Sequence, residues 1–299
     1  MRRRDFLLST GAGIVGGAWL SGTLQQAFAA PAAPHVVWVE NGEPADLLGA
    51  ALKEMGGIGS YVARGDVVVV KPNIGWDRAP QFAATTNPDL VAAVVRQCLN
   101  AGAKTVKVFD RTCNNPLRCY ANSQIEDRAK EAGAEVTQIR ENRFVTKNIN
   151  GEVVKEWQIY RDVLEADKVI NLPIAKHHSL SRVTLGMKNM MGVLGGNRGD
   201  IHNNFAQKIV DINRAIPPTL TIIDAYRILT ANGPVGGNLA HVKQTRTLVM
   251  SPCVVSADYL ALELFGLKID DVGVLGEALK RGLNKYDLKS LNVKRVRLG

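Results

Sequence analysis

"GDVVVVKPN", residues Gly65–Asn73, joins four consecutive valines to a polar exit. An apolar run of this length is typical of a strand buried on both faces of a parallel sheet. The next segment, "TNPDLVAAVVRQCLNAGA", predicts a helix, because Asn87 can cap it, Pro88 suits its first turn and Gly102 can end it. A second strand, "KTVKVFD" (Lys104–Asp110), completes a β-α-β unit whose crossover should be right-handed.

The rest of the chain continues this alternation of short apolar runs and amphipathic segments. "TLTIIDAY" predicts a buried strand that ends at Asp224, and "SADYLALELFG" predicts a helix capped by Ser256. The expected fold class is α/β, with one or more mixed, mostly parallel sheets and flanking helices built from β-α-β units. Residues 30–299 are expected to form a single domain, and a division into two lobes near residue 150 stays open. The other predicted strands are "EVTQI", "GEVVKEWQIY" (strand or hairpin), "ADKVINLPIAK" and "RTLVMS", and the other predicted helices are "QIEDRAKEAGA" and "AQKIVDINRAI".

The N-terminus has the pattern of an export signal. Residues Arg3–Leu7, "RRDFL", follow the twin-arginine pattern, and a glycine-rich apolar stretch leads to an A-x-A cleavage site at Ala27–Ala29. Residues 1–29 are therefore predicted to be a twin-arginine signal peptide, recognised by the twin-arginine translocase, and the folded protein is predicted to be periplasmic. The apolar stretch is too short and too rich in glycine for a good membrane span, so no stable span is expected after processing.

Charge and cysteine content narrow the classes of partner and cofactor. The formal net charge of +9 suits an anionic ligand, although a solvated basic surface would give the same balance. No run of five like charges and no basic motif interleaved with aromatic residues occurs, so nucleic acid is not an expected partner. No C-x-x-C spacing occurs, so there is no iron–sulfur motif. Cys113 and Cys119 could pair in an oxidising compartment, and the sequence does not decide whether they do.

The segment "KHHSLSRVTLGMKNMMGVLGGNRGDIH", Lys176–His202, holds three of the chain's five histidines and a glycine loop. It follows a predicted strand, and ligands of open α/β sheets bind outside the carboxyl ends of the strands. Polar residues at other predicted strand ends, such as Lys71 and Asp110, are expected to meet it there. We therefore expect a functional site at this edge of the sheet.

Three chemistries could explain such a site. A divalent metal could be held by mixed nitrogen and oxygen ligands, for which His178, His202 and Asp110 are the candidates. A partly desolvated lysine in "LGMKNMMG" could supply a neutral amine for acid–base or covalent chemistry, so Lys188 is the leading catalytic candidate. The remaining catalytic candidates are His177 and Asp224. The third chemistry is anion binding by main-chain N–H groups of the glycine loop and by nearby cations and amides. The candidates for binding the substrate or an anion are Lys71, Asn73, Lys176, Asn189, Gly195, Gly196 and Arg198.

The leading hypothesis from the sequence is a metal- or cofactor-dependent enzyme that acts on a small anionic substrate. The alternative is a periplasmic anion-binding protein without catalysis. The sequence does not identify the substrate, the metal or the oligomeric state.

Several stretches together carry a family resemblance. "VVVKPNIG", "TTNPDLV", "INLPIAKHHSLSRVTLGMKNMMGVLGGNRGDIH", "IVDIN", "IIDA", "NGPVGG" and "SADYLAL" resemble the bacterial family called domain of unknown function 362 over about residues 65–265. The resemblance implies no settled reaction. Some relatives carry ferredoxin-type clusters, whose cysteines are absent here. The chain is also faintly similar to the nickel-pincer lactate racemase group, since Lys188 and His202 occur in a comparable order, although the glycine run follows Lys188 here.

Overall fold

The computed structural model describes residues 33–299, so the predicted signal peptide lies outside the described residues. The described strands are β1 (Val36–Glu40), β2 (Val67–Pro72), β3 (Thr105–Val108), β4 (Glu135–Val136), β5 (Phe144–Asn148), β6 (Glu156–Tyr160), β7 (Lys168–Leu172), β8 (Ile174–His178), β9 (Arg182–Thr184), β10 (Leu220–Leu229), β11 (Val242–Ser251) and β12 (Val293–Arg297). The described helices are α1 (Pro44–Glu54), α2 (Pro88–Asn100), α3 (Pro116–Asn122), α4 (Ile125–Glu131), α5 (Arg161–Glu165), α6 (Gly186–Asn189), α7 (Phe205–Ala215), α8 (Val254–Ala261) and α9 (Gly273–Lys280).

Most of the strands form one sheet of ten strands in the order β12-β1-β11-β10-β7-β2-β3-β4, with β8 paired to β10 and to β9. The pairs β2–β3, β2–β7, β3–β4, β7–β10, β8–β10 and β1–β12 are parallel. The pairs β1–β11, β10–β11 and β8–β9 are antiparallel. Strands β5 and β6 make a separate antiparallel ribbon. The predicted fold class, a mixed and mostly parallel α/β sheet with flanking helices, is confirmed.

The β-α-β unit at the centre of the prediction forms as expected. Strands β2 and β3 pair in parallel with Val67 opposite Thr105, and α2 connects them. The side chain of Asn87 accepts a hydrogen bond from the main-chain N–H of Asp89 at 2.9 Å and so caps α2. Strand β7 pairs with β2 on its other side, so strands from both sides of residue 150 belong to the same sheet.

Two hydrophobic cores cover the two faces of the sheet. Val68 and Val70 pack into one core with α1, α2 and α4, while the intervening Val69 packs into the other with α7, α8 and α9. Side chains alternate between the faces of a strand, so a strand buried on both sides must be apolar at every position. This requirement explains the valine run. Among the described residues, no helix is long and apolar enough to cross a membrane.

Three local predictions were wrong. Strand β10 does not end at Asp224 but continues to Leu229, with an irregularity in its pairing to β11 between Ala225 and Arg227. Helix α8 begins at Val254, so Ser256 lies inside its first turn and does not cap it. The segment "EVTQI" contributes only the two residues of β4 to the sheet.

Candidate functional site

A cavity of about 410 Å³ opens where β2, β3 and β8 end. Its wall is formed by the loops after these strands, by Thr184 of β9, by α6 and the segment that follows it to the start of α7, and by Pro234 from the loop after β10. The edge of the sheet predicted from the sequence is therefore the edge at which the polar residues meet. The predicted site residues that line this cavity are Lys71, Asn73, Asp110, Lys176, His178, Lys188, Asn189, Arg198 and His202.

Lys71 forms the floor of the cavity and is already fully paired. Its ammonium lies 2.7 Å from a carboxylate oxygen of Asp110 and also donates to the carbonyl of Pro72 at 2.6 Å and to Oδ1 of Asn189 at 3.3 Å. These contacts use its three donors. Burial lowers the pKa of Lys71, and the neighbouring Asp110 opposes that shift. Lys71 was predicted to bind the anionic substrate, but its contacts leave it no free donor.

A chain of amides extends this floor to a second buried lysine. Oδ1 of Asn189 accepts from the amide of Asn73 at 3.2 Å, and Oδ1 of Asn73 accepts from the ammonium of Lys176 at 3.2 Å. Lys176 also donates to the carbonyl of Ala84. Two acceptors for three donors leave one N–H of Lys176 for a ligand. Burial lowers the pKa of Lys176 to about 7.

Gly192 lies directly above the Lys71–Asp110 pair. A Cβ at this position would be 1.8 Å from Oδ1 of Asp110 and 2.5 Å from Nζ of Lys71. Real Cβ atoms do not approach so closely, so glycine is required if the ion pair is to form here. The glycines of this segment are evident in the sequence. The contact that requires glycine at position 192 is with residues distant in the chain, so it leaves no local signal in the sequence.

Lys188 is the cation with the fewest partners in the cavity. Its ammonium lies 3.7 Å from the sulfur of Met191 and 4.5 Å from the centre of the Phe205 ring. Among residues 33–299, no oxygen atom accepts a hydrogen bond from it. Burial lowers its pKa to about 8, Cys113 opposes the shift and Arg198 adds to it. Near neutral pH, part of the Lys188 population therefore carries a neutral, nucleophilic amine.

A buried carboxylate holds the turn that carries Lys188. Asp258 accepts the main-chain N–H groups of Gly186 and Met187 at 2.6 and 2.8 Å. Burial raises the pKa of Asp258 to about 7, although these two hydrogen bonds favour its ionised form. The sequence predicts a helix at Asp258 but gives no sign of this role, because the two partners of Asp258 are 71 and 72 residues away in the chain.

Two histidines in the cavity wall carry their protons on different nitrogens. Nδ1 of His178 accepts from the N–H of Leu180 at 3.1 Å, so the ring proton of a neutral His178 lies on Nε2. Nδ1 of His202 is 3.2 Å from the carbonyl of Gly199 and must donate to it, so Nε2 of His202 has a free lone pair. Burial and the charge of Lys188 lower both pKa values, that of His178 to about 3. His178 is thus a donor and His202 an acceptor.

Two of the predicted catalytic residues lie outside the cavity. His177 accepts the N–H of Gly233 at 3.1 Å on the other side of β8, because neighbouring residues of a strand point to opposite faces. Asp224 is completely buried and accepts the N–H groups of Asn87 at 2.7 Å and Tyr226 at 3.0 Å. Burial raises its pKa to about 6. Neither His177 nor Asp224 lines this cavity, so its geometry gives their predicted catalytic roles no support.

The loop that contains Gly195, Gly196 and Arg198, predicted to bind an anion, makes hydrogen bonds to the loop after β3. Arg198 donates to the carbonyls of Arg111 and Thr112, both at 2.8 Å, and Arg111 donates back to the carbonyls of Leu194 and Gly196 at 3.0 Å. Arg198 therefore lines the cavity with its two terminal nitrogens engaged. Gly195 and Gly196 do not line the cavity, and a Cβ on Gly195 would be 2.7 Å from the Phe144 ring, so close packing gives this glycine a structural reason and the cavity gives neither residue a contact with an anion.

The predicted metal site does not form. Within residues 33–299, no three His, Cys, Asp and Glu side chains are grouped so as to hold a metal ion. His178 and His202 line the cavity, but the carboxylate of Asp110 is engaged by Lys71 and by the N–H of Ile74 at 2.6 Å. Cys113 and Cys119 are free thiols: Cys113 is exposed and lines the cavity, whereas Cys119 is buried in α3.

The fold and the cavity define an α/β protein whose candidate ligand site lies at the carboxyl ends of parallel strands. The chain belongs to the family described as Domain of unknown function (DUF362), which matches residues 68–263.

Two individual proteins are similar to it. The thylakoid-associated protein sll1697 of Synechocystis sp. is 26% identical over 241 residues, which cover 78% of this chain and 73% of that protein. The lactate racemase apoprotein from Thermoanaerobacterium thermosaccharolyticum superposes with a TM-score of 0.47 at 12% identity, over 76% of this chain. This chain spans 56% of that structure, and the low similarity carries no argument about activity.

Proposed function

We propose that the protein is an enzyme that acts on a small anionic substrate in this cavity, with the amine of Lys188 as its proton acceptor or covalent attachment point. The observation that carries the proposal is the position of Lys188: a partly buried lysine with a pKa lowered to about 8, in a cavity, with no oxygen partner among the described residues. Strongly shifted lysines of this kind are typical of catalytic sites.

The remaining donors and acceptors of the cavity support an anionic substrate. In their protonated forms, Lys188 and the spare N–H of Lys176 offer two cationic donors to one anionic group, and loss of the Lys188 proton gives the amine that acts in catalysis. The hydroxyl of Thr184 lines the same cavity, is buried and has no hydrogen-bond partner in the described part of the chain. In this proposal His178 donates through Nε2 to a substrate oxygen, and His202 accepts a proton at Nε2.

Export belongs to the proposal as well. The twin-arginine pattern at Arg3–Leu7 and the cleavage site at Ala27–Ala29 support transport of the folded protein to the periplasm by the twin-arginine translocase. The mass of the intact protein from a periplasmic fraction tests this point. Processing after Ala29 predicts a mature chain that begins at Ala30, and an unprocessed chain confined to the cytoplasm would contradict export.

Competitive acetylation tests the state of Lys188. The protein is labelled with a trace of acetic anhydride across a pH series, with free Nα-acetyl-lysine as the internal reference, and the Lys188 peptide is quantified by mass spectrometry. We expect the reactivity of Lys188 to rise with a midpoint near pH 8, well below the ordinary value of about 10.4 for a lysine. A midpoint equal to that of the reference amine would remove the basis of the proposal.

A comparison of variants separates catalysis from binding. A mixture of small anionic metabolites is incubated with the protein, with Lys188→Met and with the control Lys53→Met, which alters an exposed lysine of α1 outside the cavity. An enzyme should deplete at least one anion, Lys188→Met should slow that turnover by about 10²-fold or more, and Lys53→Met should not change it. Retention of an anion without any chemical change would instead favour the alternative, an anion-binding protein.

A further inference from the structure

The cavity that holds Lys188 also has an apolar side. Trp76, Leu180 and Pro234 come from three different loops, after β2, after β8 and after β10, and all line this cavity together with Met191. Leu180 is 73% exposed, one of the most exposed large apolar side chains among the described residues. A single exposed leucine needs no explanation, but one that shares a cavity with a tryptophan, a proline and a methionine forms part of an apolar surface.

From this surface, and resting on the proposed function, we infer the class of the substrate: an amphipathic monoanion, in which one compact anionic head is joined to an aromatic or branched apolar body. The head lies between Lys188 and Lys176, and the body lies against Trp76, Leu180 and Met191. Pockets for such ligands are characteristically apolar, with a few polar groups that fix the orientation.

The volume of the cavity supports a substrate that has an apolar body in addition to its anionic head. A water molecule takes about 30 Å³ in the liquid, more than a covalently bonded atom does, so a short hydroxy acid of about six non-hydrogen atoms fills at most roughly 180 Å³. The cavity measures about 410 Å³. A three-carbon acid would therefore leave more than half of it to water against apolar walls, which is unfavourable. A benzene ring or a branched chain attached to the acid would occupy that space.

The positions of the two lysines suit one compact anionic group. Arg198 holds the main-chain carbonyls of Arg111 and Thr112, and Arg111 holds those of Leu194 and Gly196, so both arginines are tied to the loops that they join. Lys71 is neutralised by Asp110. Lys188 and, in its protonated form, one donor of Lys176 remain for the anionic head.

Calorimetric titration with four probes tests the inference: acetate, phenylacetate, the neutral phenylacetamide, and phenyl phosphate. Phenylacetate should bind about ten-fold or more tightly than acetate, because its ring is removed from water. Phenylacetamide should bind more weakly than phenylacetate, because it lacks the charge that Lys188 meets. Tighter binding of phenylacetate supports an amphipathic monoanion with a carboxylate head. Tighter binding of phenyl phosphate, which is largely a dianion at neutral pH, overturns the single charge of the head.

A matched pair of surface variants locates the apolar contact. Leu180→Ser should weaken phenylacetate about three-fold or more and leave acetate unchanged, whereas Leu117→Ser, at a leucine that is 68% exposed but outside the cavity, should change neither. Trp76→Ala should act in the same direction as Leu180→Ser.

The results also separate this inference from the proposed function. Equal affinities for acetate and phenylacetate, or equal losses of both in Leu180→Ser, overturn the substrate class, while the Lys188 labelling result still stands. Binding of phenylacetamide as tight as that of phenylacetate overturns the anionic head. No saturable binding of any of the four probes overturns both proposals.

Discussion

Two of the places at which the described residues bury charged groups differ in how completely those charges are paired. Asp211 of α7 accepts the N–H groups of Glu152, Val153 and Val154 at 3.1, 2.9 and 2.8 Å and also pairs with Arg281. We call this group the Asp211 clamp. Burial alone would raise the pKa of Asp211, but these hydrogen bonds lower it below its usual value. Within the described residues, no member of the Asp211 clamp lines the cavity that holds Lys188.

The cavity beside Lys188 is the opposite case. Its floor is as well paired as the clamp, but Lys188 has no oxygen partner among the described residues and Lys176 keeps one free donor. A buried charge with every partner supplied by the chain stabilises the fold and has nothing left for a ligand. A charge whose partner is missing destabilises the fold unless a ligand provides that partner. The comparison therefore distinguishes structural from functional burial of charge.

The largest expected effect is at the clamp. Asp211→Ala leaves Arg281, which is 4% exposed, without its buried partner, and three main-chain N–H groups without an acceptor. We expect the free energy of unfolding to fall by about 3–5 kcal/mol, measured by urea denaturation. Asp211 does not line the cavity, so binding of phenylacetate should not change under folding conditions.

The control for this variant removes an exposed partner of the same arginine. Glu152 is 65% exposed and lies 2.9 Å from Arg281, so Glu152→Ala should cost less than about 1 kcal/mol. A similar loss in the two variants would show that burial of the pair is not the source of its stability and would remove one side of the comparison.

A smaller effect is expected at the floor of the cavity. Gly192→Ala forces a Cβ to within 1.8 Å of Asp110 unless the ion pair with Lys71 separates. We expect a loss of about 1–3 kcal/mol in the free energy of unfolding and weaker binding of phenylacetate. The matched control is Gly49→Ala on the exposed face of α1, where a Cβ meets nothing within 4 Å. This change should stabilise the protein by roughly 0.5–1 kcal/mol, and equal losses in both variants would contradict the steric argument.

The sequence was sufficient to predict the architecture because that information is local. The valine run of β2 and the Asn87 cap each depend on a few adjacent residues. The edge of the sheet where the polar residues meet also followed, because parallel strands bring their carboxyl ends together. Nine of the predicted site residues accordingly line the cavity.

The sequence did not decide which candidate residues line the cavity, because that information is not local. Only one of His177 and His178 can face the cavity, and strand alternation does not say which. Asp224 was expected at a strand exit, and the continuation of β10 to Leu229 depends on its pairing with β11. Asp258 supports Lys188 through space and carries no motif. A sequence shows which residues can do chemistry, but not which of their donors and acceptors the fold has already used.

A pH-dependent effect is expected at the carboxylate under Lys188, which, unlike Asp211, has no cationic partner among the described residues. The pKa of Asp258 is raised to about 7 by burial, whereas in the unfolded chain it is about 3.9. Between these values the folded state holds a proton that the unfolded state has released. The free energy of unfolding should therefore fall as the pH rises from about 4 to 7, with a contribution from Asp258 of up to about 1.4 kcal/mol per pH unit, and this contribution should level off above pH 7.

Asp258→Asn should remove that contribution, so the difference between the variant and the original protein isolates it from other groups, such as Asp224, that titrate in the same window. Asp211 has a lowered pKa, so its contribution is lost only as the pH falls below about 4 and cannot produce a slope near neutrality. Urea denaturation at pH 5, 6, 7 and 8 supplies the measurement. Parallel curves for the two proteins would mean that Asp258 is ionised throughout this pH range. Its two main-chain donors would then balance its charge as fully as the charge of Asp211 is balanced. The contrast between the two regions would in that case be limited to the lysines.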